Sequence, residues 1–290
     1  MSLPEKYVNP EGFSVATQEV YAHDGGGYST LVIQSNADRD LHRCQVSASA
    51  DLAAEDPQVV VDLKRWIYSL WRAPSGRRYI VHSNNVLQGE TDEGFATVAE
   101  GPVPLTAVLG GSEDEIYVLG VNGYVGRLAG DGLVDMPVGQ SNAIHHLAFA
   151  PDGTLYAVGE MGGLFCRRGE AWEVIGLGLQ VELNHALALD ADDVLLCGSE
   201  GFCGRYTGGK LERYETPDAW SYHAIARFQG DTFFGAGLRG VARLEGDKVE
   251  PFKDIAYAFH LASSDAFLFT SGLNRIGRYD GNGWLKRDYL

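Results

Sequence analysis

The sequence predicts an all-β fold, a single β-propeller of about seven four-stranded blades, with six as the alternative. Three observations predict it. A Gly–Arg device recurs along the chain at intervals of 35 to 40 residues. Turn residues punctuate each interval so that strands of five or six residues fit between them. Glycine is abundant, at 37 of 290 residues, and recurs instead of clustering, as many tight turns require.

The device is seen in five successive segments, beginning YVLGVNGYVGRL at 117 and ending with LFTSGLNRIGRY at 268–279. Its arginines, Arg127, Arg167, Arg205, Arg243 and Arg278, are 40, 38, 38 and 35 residues apart. That period fits four short strands with their turns, the unit of a propeller blade. One unit read in full shows how the strands arise. IHHLAFA (144–150) is an apolar-rich strand. Pro151-Asp152-Gly153 then supplies a preset φ, a side-chain cap and a residue tolerant of positive φ. TLYAVG (154–159) is the second strand, Gly162-Gly163 turns into LFCRR (164–168), and Gly169-Glu170 turns into AWEVIG (171–176). The same reading gives blades at 67–104, 105–143, 144–183, 184–221, 222–256 and 257–290. The blade at 67–104 lacks the arginine device.

A divergent first blade is expected over 12–66, with strands at 12–22, 29–35, 41–47 and 59–63. The best helical candidate, 51–66, is interrupted by Pro57, and its Val59-Val60-Val61 run prefers a strand. The whole chain therefore reads as one domain, 1–290.

The unit LAFAPDGTLYAVGEMGGLFCRRGEAWEV resembles the repeat of BNR-like propellers of the photosystem II assembly-factor type, and the resemblance covers roughly 105–290. It implies the propeller fold and an assembly or scaffold role. The Ser-x-Asp-x-Gly-x-Thr-Trp box of sialidases and the Trp-Asp dipeptide of WD repeats are both absent.

Net charge is −16, from 39 acidic and 23 basic residues. Clustered Lys and Arg, which phosphate binding needs, are missing, so neither a nucleic acid nor a membrane surface is expected as partner. A basic protein partner suits the charge. The four cysteines, Cys44, Cys166, Cys197 and Cys203, form no CxxC pair and read as reduced buried thiols. The start MSLPEKYVNP lacks a signal-peptide pattern, and no apolar run is long enough for a membrane span. The expectation is a cytoplasmic protein.

Two groups of residues are candidates for function. His146, His185, His223 and His260 stand at the same place near the start of four consecutive units. The first strand of a blade is innermost, so four imidazoles could converge on the axis and hold Fe, Zn or Cu. In that respect alone the pattern resembles the four-histidine iron centre of carotenoid-cleaving oxygenases. Against it, a repeat duplicates any residue that suits its place. A histidine there could simply satisfy a neighbouring blade's backbone. The second group lies on loops of one face. Glu160, Glu200, Arg239 and Asn274 join second to third strands, and Trp66, Trp220, Tyr222 and Tyr257 stand in inter-blade loops. Aromatic residues on loops anchor protein contacts. The five repeated arginines are expected to bridge each blade to the next.

No nucleophile, phosphate-loop or dinucleotide motif is present. The reading is a non-catalytic propeller that binds a protein partner through its loops, needs no cofactor, and could be an immunity-type protein neutralising a toxin. The alternatives are a metal-dependent oxygenase or lyase using the histidine ring, and an assembly factor.

Overall fold

A strand that alternates side chains between its two faces can fill the space on both sides of a sheet. Second strands here are buried on both faces, as in Leu155–Gly159 and Leu268–Gly272, where every residue is buried. Such a strand needs a neighbouring sheet on each side. A ring of sheets supplies this for every blade, including the first and the last.

The computed structural model describes residues 9, 12–36, 41–53, 57–253 and 257–289. Most of the opening segment read for a leader lies outside them. The chain forms seven four-stranded antiparallel sheets, at 14–63, 67–100, 105–135, 144–175, 183–213, 224–253 and 260–288. These are blades 1 to 7. Each is a simple up-and-down meander of consecutive strands. The divergent N-terminal unit is a complete blade, which settles the count at seven.

Seven apolar clusters stand one at each junction between blades. Tyr117 and Leu119 of blade 3 face blade 4, while Ile116 and Val118 of the same strand face blade 2. The ring closes where Val20, Tyr28 and Leu52 of blade 1 meet Phe269 and Ile276 of blade 7. No strand is exchanged across that seam. It is tied instead by Thr17, whose Oγ1 donates to the Arg275 carbonyl at 3.0 Å and accepts from the Gly272 N–H at 3.2 Å. Ser271 Oγ donates to the Gln18 carbonyl at 2.7 Å, and the Tyr28 and Tyr289 hydroxyls meet at 2.7 Å.

The two faces of the disc differ. First-to-second and third-to-fourth strand hairpins make one, here the hairpin face. Second-to-third strand turns and the inter-blade loops make the other, the loop face. In blades 3, 4 and 5 the turn places Asn122-Gly123, Met161-Gly162 and Glu200-Gly201 at positive φ. The Gly162 N–H then donates to the Val181 carbonyl, and the Gly201 N–H to the Trp220 carbonyl. Each turn is thus fastened to the loop that leads to the next blade. All four cysteines are buried and free.

Candidate functional site

The central channel is lined by the inner strands, and the place of each histidine follows from how its inner strand pairs. His146, His185 and His260 lie opposite Val158, Cys197 and Ser271, each of which precedes the closing glycine of its second strand. In blade 6 that place belongs to Ile225, opposite Phe234. His223 falls two residues earlier, before the strand begins, and its ring lies 5.0 Å from that of Phe259. Blades 4 and 5 slip by one residue between Ile144 and His146 and between Leu183 and His185, whereas blades 6 and 7 pair without a slip. Equal spacing in sequence therefore gives unequal places in space.

The three remaining imidazoles do not form a metal cage. The rings of His146 and His185 stack with centroids 3.7 Å apart and planes inclined by 24°. Stacked rings run their lone pairs side by side instead of converging them. Among the described residues no group of three or more His, Cys, Asp or Glu is placed to hold a metal ion. The four-histidine iron, zinc or copper centre expected as an alternative is therefore not formed. Burial, with lesser repulsion from His260, lowers the His146 pKa to about 3. Burial lowers that of His260 to about 4 and holds His185 well below its ordinary value. All three are neutral at physiological pH.

Their register position has a structural use instead. His260 Nδ1 accepts the Val20 N–H of blade 1 at 3.3 Å. Glu19 of blade 1 accepts the Leu70 N–H of blade 2 and the Ser69 hydroxyl at 3.0 Å. Ser69 accepts the Val108 N–H of blade 3 at 3.1 Å. Three successive blades are thus latched by an inner-strand side chain reaching the next blade's free backbone edge. His146 and His185 stand in the equivalent place, but their Nδ1 atoms are buried without a hydrogen-bond partner. Glu19 and Ser69 escape sequence reasoning because the residue type changes from blade to blade. Only the shared place beside a strand irregularity marks them.

The repeated arginines keep one register, opposite Tyr117, Leu155, Leu195, Phe233 and Phe269. They do not all bridge blades. Arg205 grips Asp193 with two bonds of 2.7 and 2.5 Å, and Arg243 engages Glu245 and Asp231, all within their own blades. Arg127 donates to the Asp114 carbonyl of its own blade at 3.3 Å. The bridge to the next blade is made by Arg278, which crosses the seam to Asp51 and to the Gly26 carbonyl. Arg168, one residue beyond the repeated position, crosses from blade 4 to Asp192 of blade 5.

On the loop face the structure gathers some of the expected contact residues and withdraws others. Arg239 lies over the ring of Trp220 at 5.2 Å, and Trp220 Nε1 donates to Asp218 at 3.1 Å. Leu238, beside Arg239, is 62% exposed, and Phe259, against His223, is 36% exposed. A side chain on Gly237 would lie 3.1 Å from the Phe259 ring, which ties the two pairs into one patch along blade 6. Glu200 is exposed at the turn of blade 5.

Tyr222 is fully buried against Phe234 and Asn274 is buried at the blade 7 turn, so neither is a surface anchor. Trp66 is half-buried, with its ring edge-on to His42 at 5.7 Å. Glu160 accepts the Ala143 N–H at 3.0 Å and so braces an inter-blade loop. Tyr257 is half-buried and packs over Gly272. Leu238 and the exposed Met161 carry no sequence signal beyond being apolar next to a turn glycine, and Phe259 none beyond being apolar beside a repeated histidine.

No family model matches the chain, and no curated protein matches it. Solved structures do. The chain shares its fold with YCF48. The structure of YCF48 bound to a D1 peptide aligns over 96% of this chain and 94% of its own, with a TM-score of 0.69 and 12% identity. The WD40 β-propeller domain of Doa1 aligns over 92% and 93%, with a TM-score of 0.70 and 11% identity. PorZ, a surface component of the type-IX secretion system of Porphyromonas gingivalis, aligns over 95% of this chain but 38% of its own, with a TM-score of 0.65 and 12% identity. At these identities the likeness is one of fold. The resemblance to photosystem II assembly-factor propellers holds at that level.

Proposed function

We propose that this chain is a non-catalytic, cytoplasmic propeller that binds a protein partner through the loop face of blades 5 to 7. The patch of Trp220, Leu238, Arg239 and Phe259 carries the reading. It joins an aromatic ring, a guanidinium stacked on it and two exposed apolar side chains, the composition of an interface centre. Propellers of the same fold give support, since YCF48 has been solved with a peptide bound. With a net charge of −16, the partner is basic and its approach is steered electrostatically. In its finer form the reading is an immunity-type protein that covers the active site of a basic toxin. The second form, an assembly or scaffold factor, draws on the repeat's resemblance.

A photo-crosslinking amino acid at Leu238 tests the proposal in the native cell. The control carries it at Val174, which is 72% exposed on the outer strand of blade 4. One protein adduct at 238, absent at 174 and lost with Arg239→Glu, is expected. Salt should reduce its yield. No adduct at 238 would sink the reading. Inhibition of the captured protein's toxicity separates the immunity form from the scaffold form.

A further inference from the structure

The channel holds a cavity of about 570 Å³, within the range of small-molecule sites. It is lined by the channel-facing ends of inner strands and extends to the hairpin face, opposite the patch described above. Apolar side chains, Phe149, Leu187, Ile225 and Leu261 among them, share its walls with polar surface that includes the neutral rings of His146, His185 and His260. No carboxylate is among the lining residues. The wall also carries one guanidinium, that of Arg227. It stands two residues beyond Ile225, next to the hairpin of blade 6, with its side chain exposed. Arg227 makes no ion pair or hydrogen bond among the described residues, although Arg243 in the same blade engages both Asp231 and Glu245.

In a chain with 39 acidic and 23 basic residues, an unpaired cation over a cavity free of carboxylates is chemically specific. An anion is repelled by most of this surface and attracted here. An apolar body would find van der Waals contact below that point, and neutral imidazoles would admit it without a charge to desolvate. We infer that the channel is a binding site for a small amphipathic organic anion, whose acidic head meets Arg227 at the mouth and whose apolar body lies along the inner strands. Arginine suits the role because its planar fork takes a carboxylate or sulfonate by two parallel bonds.

The full chain titrated with 1-anilinonaphthalene-8-sulfonate, and then with octanoate as competitor, tests this. One probe per chain should bind with enhanced, blue-shifted fluorescence, and octanoate should displace it. Arg227→Gln should weaken both ligands about tenfold or more, as loss of a charged hydrogen bond implies. Arg227→Lys should retain most of the affinity. Ser263→Trp, at the exposed rim of the cavity, should block the site without touching a core residue. Each variant is accepted only if its thermal transition matches the parent's. Absence of one-to-one binding overturns the inference, as does unchanged affinity in either Arg227→Gln or Ser263→Trp.

Discussion

Glu19 shows how a single side chain can set the pH response of the ring. Its carboxyl lies between blades 1 and 2, and burial raises its pKa to about 8 against the opposing bonds from Leu70 N–H and Ser69. The folded protein therefore holds a proton there that the unfolded chain has released above its ordinary value of 4.5. The stability this group contributes falls as pH rises through that interval and is gone above about 8. The buried histidines act oppositely. With their pKa values lowered in the folded state, the unfolded chain binds more protons below 6.5, so stability falls as pH drops toward 4. Three histidines outweigh one carboxyl in the region of overlap. The expected optimum is thus near pH 6.5, with losses on both sides. Each tenfold change in proton affinity is worth about 1.4 kcal/mol, so the alkaline loss is at most a few kcal/mol. Urea denaturation at pH 5, 6.5 and 9 checks the shape. Glu19→Gln, which mimics the protonated form, should flatten the alkaline side and steepen the acid side between about pH 4.5 and 6.5. A variant that still loses stability between pH 6.5 and 9 as the parent does would refute this role for Glu19.

At the scale of the element, the turns on the loop face depend on glycine for space as well as for φ. Gly162 and Gly201 have φ of 67° and 73°, and a Cβ would lie 2.5 Å from the Leu179 carbonyl oxygen and 2.6 Å from that of Asp218. Gly169, in a hairpin on the other face, has φ of 75° but open space around it. Gly162→Ala and Gly201→Ala should each cost about 2–4 kcal/mol, from strain in the left-handed region plus the collision, and Gly169→Ala about 1 kcal/mol. Equal losses at all three in chemical denaturation would show that space plays no part. These glycines explain why the blades were legible. They recur because blades 3 to 5 share the same close approach to the following loop, and the arginines recur because they share one place in the third strand. The site was less legible, since strand irregularity and burial are not periodic in sequence. His223 lies at the right interval yet misses the channel, because the register of blade 6 gives that place to Ile225. Trp220 and Tyr222 are two residues apart in one loop, yet the first meets Arg239 at the surface and the second fills the junction of blades 5 and 6.

For the molecule as a whole, the seam between first and last blades is the junction not joined by a short connection along the chain. Propellers can share a strand across such a seam, but here each sheet is made of consecutive strands. Closure therefore rests on side-chain bonds, on the backbone bond from the Thr17 N–H to the Leu273 carbonyl, and on the small cluster around Tyr28 and Phe269. The Thr17 hydroxyl makes two of those side-chain bonds, one to the Arg275 carbonyl and one from the Gly272 N–H. Replacing its hydroxyl by a methyl of the same shape removes both side-chain bonds at once. Thr17→Val should cost about 1–3 kcal/mol. Because the other six junctions are untouched, the loss should be spatially uneven. Hydrogen exchange under native conditions should show faster opening for Gly272, Leu273 and the inner strand Ser14–Ala22, while amides of Leu155–Gly159 in blade 4 retain the parent's protection. Such a pattern would identify the seam as the weakest cooperative unit of the ring. Uniform loss of protection across all seven blades would mean instead that the ring opens only by global unfolding, with the seam no weaker than the junctions the chain itself connects.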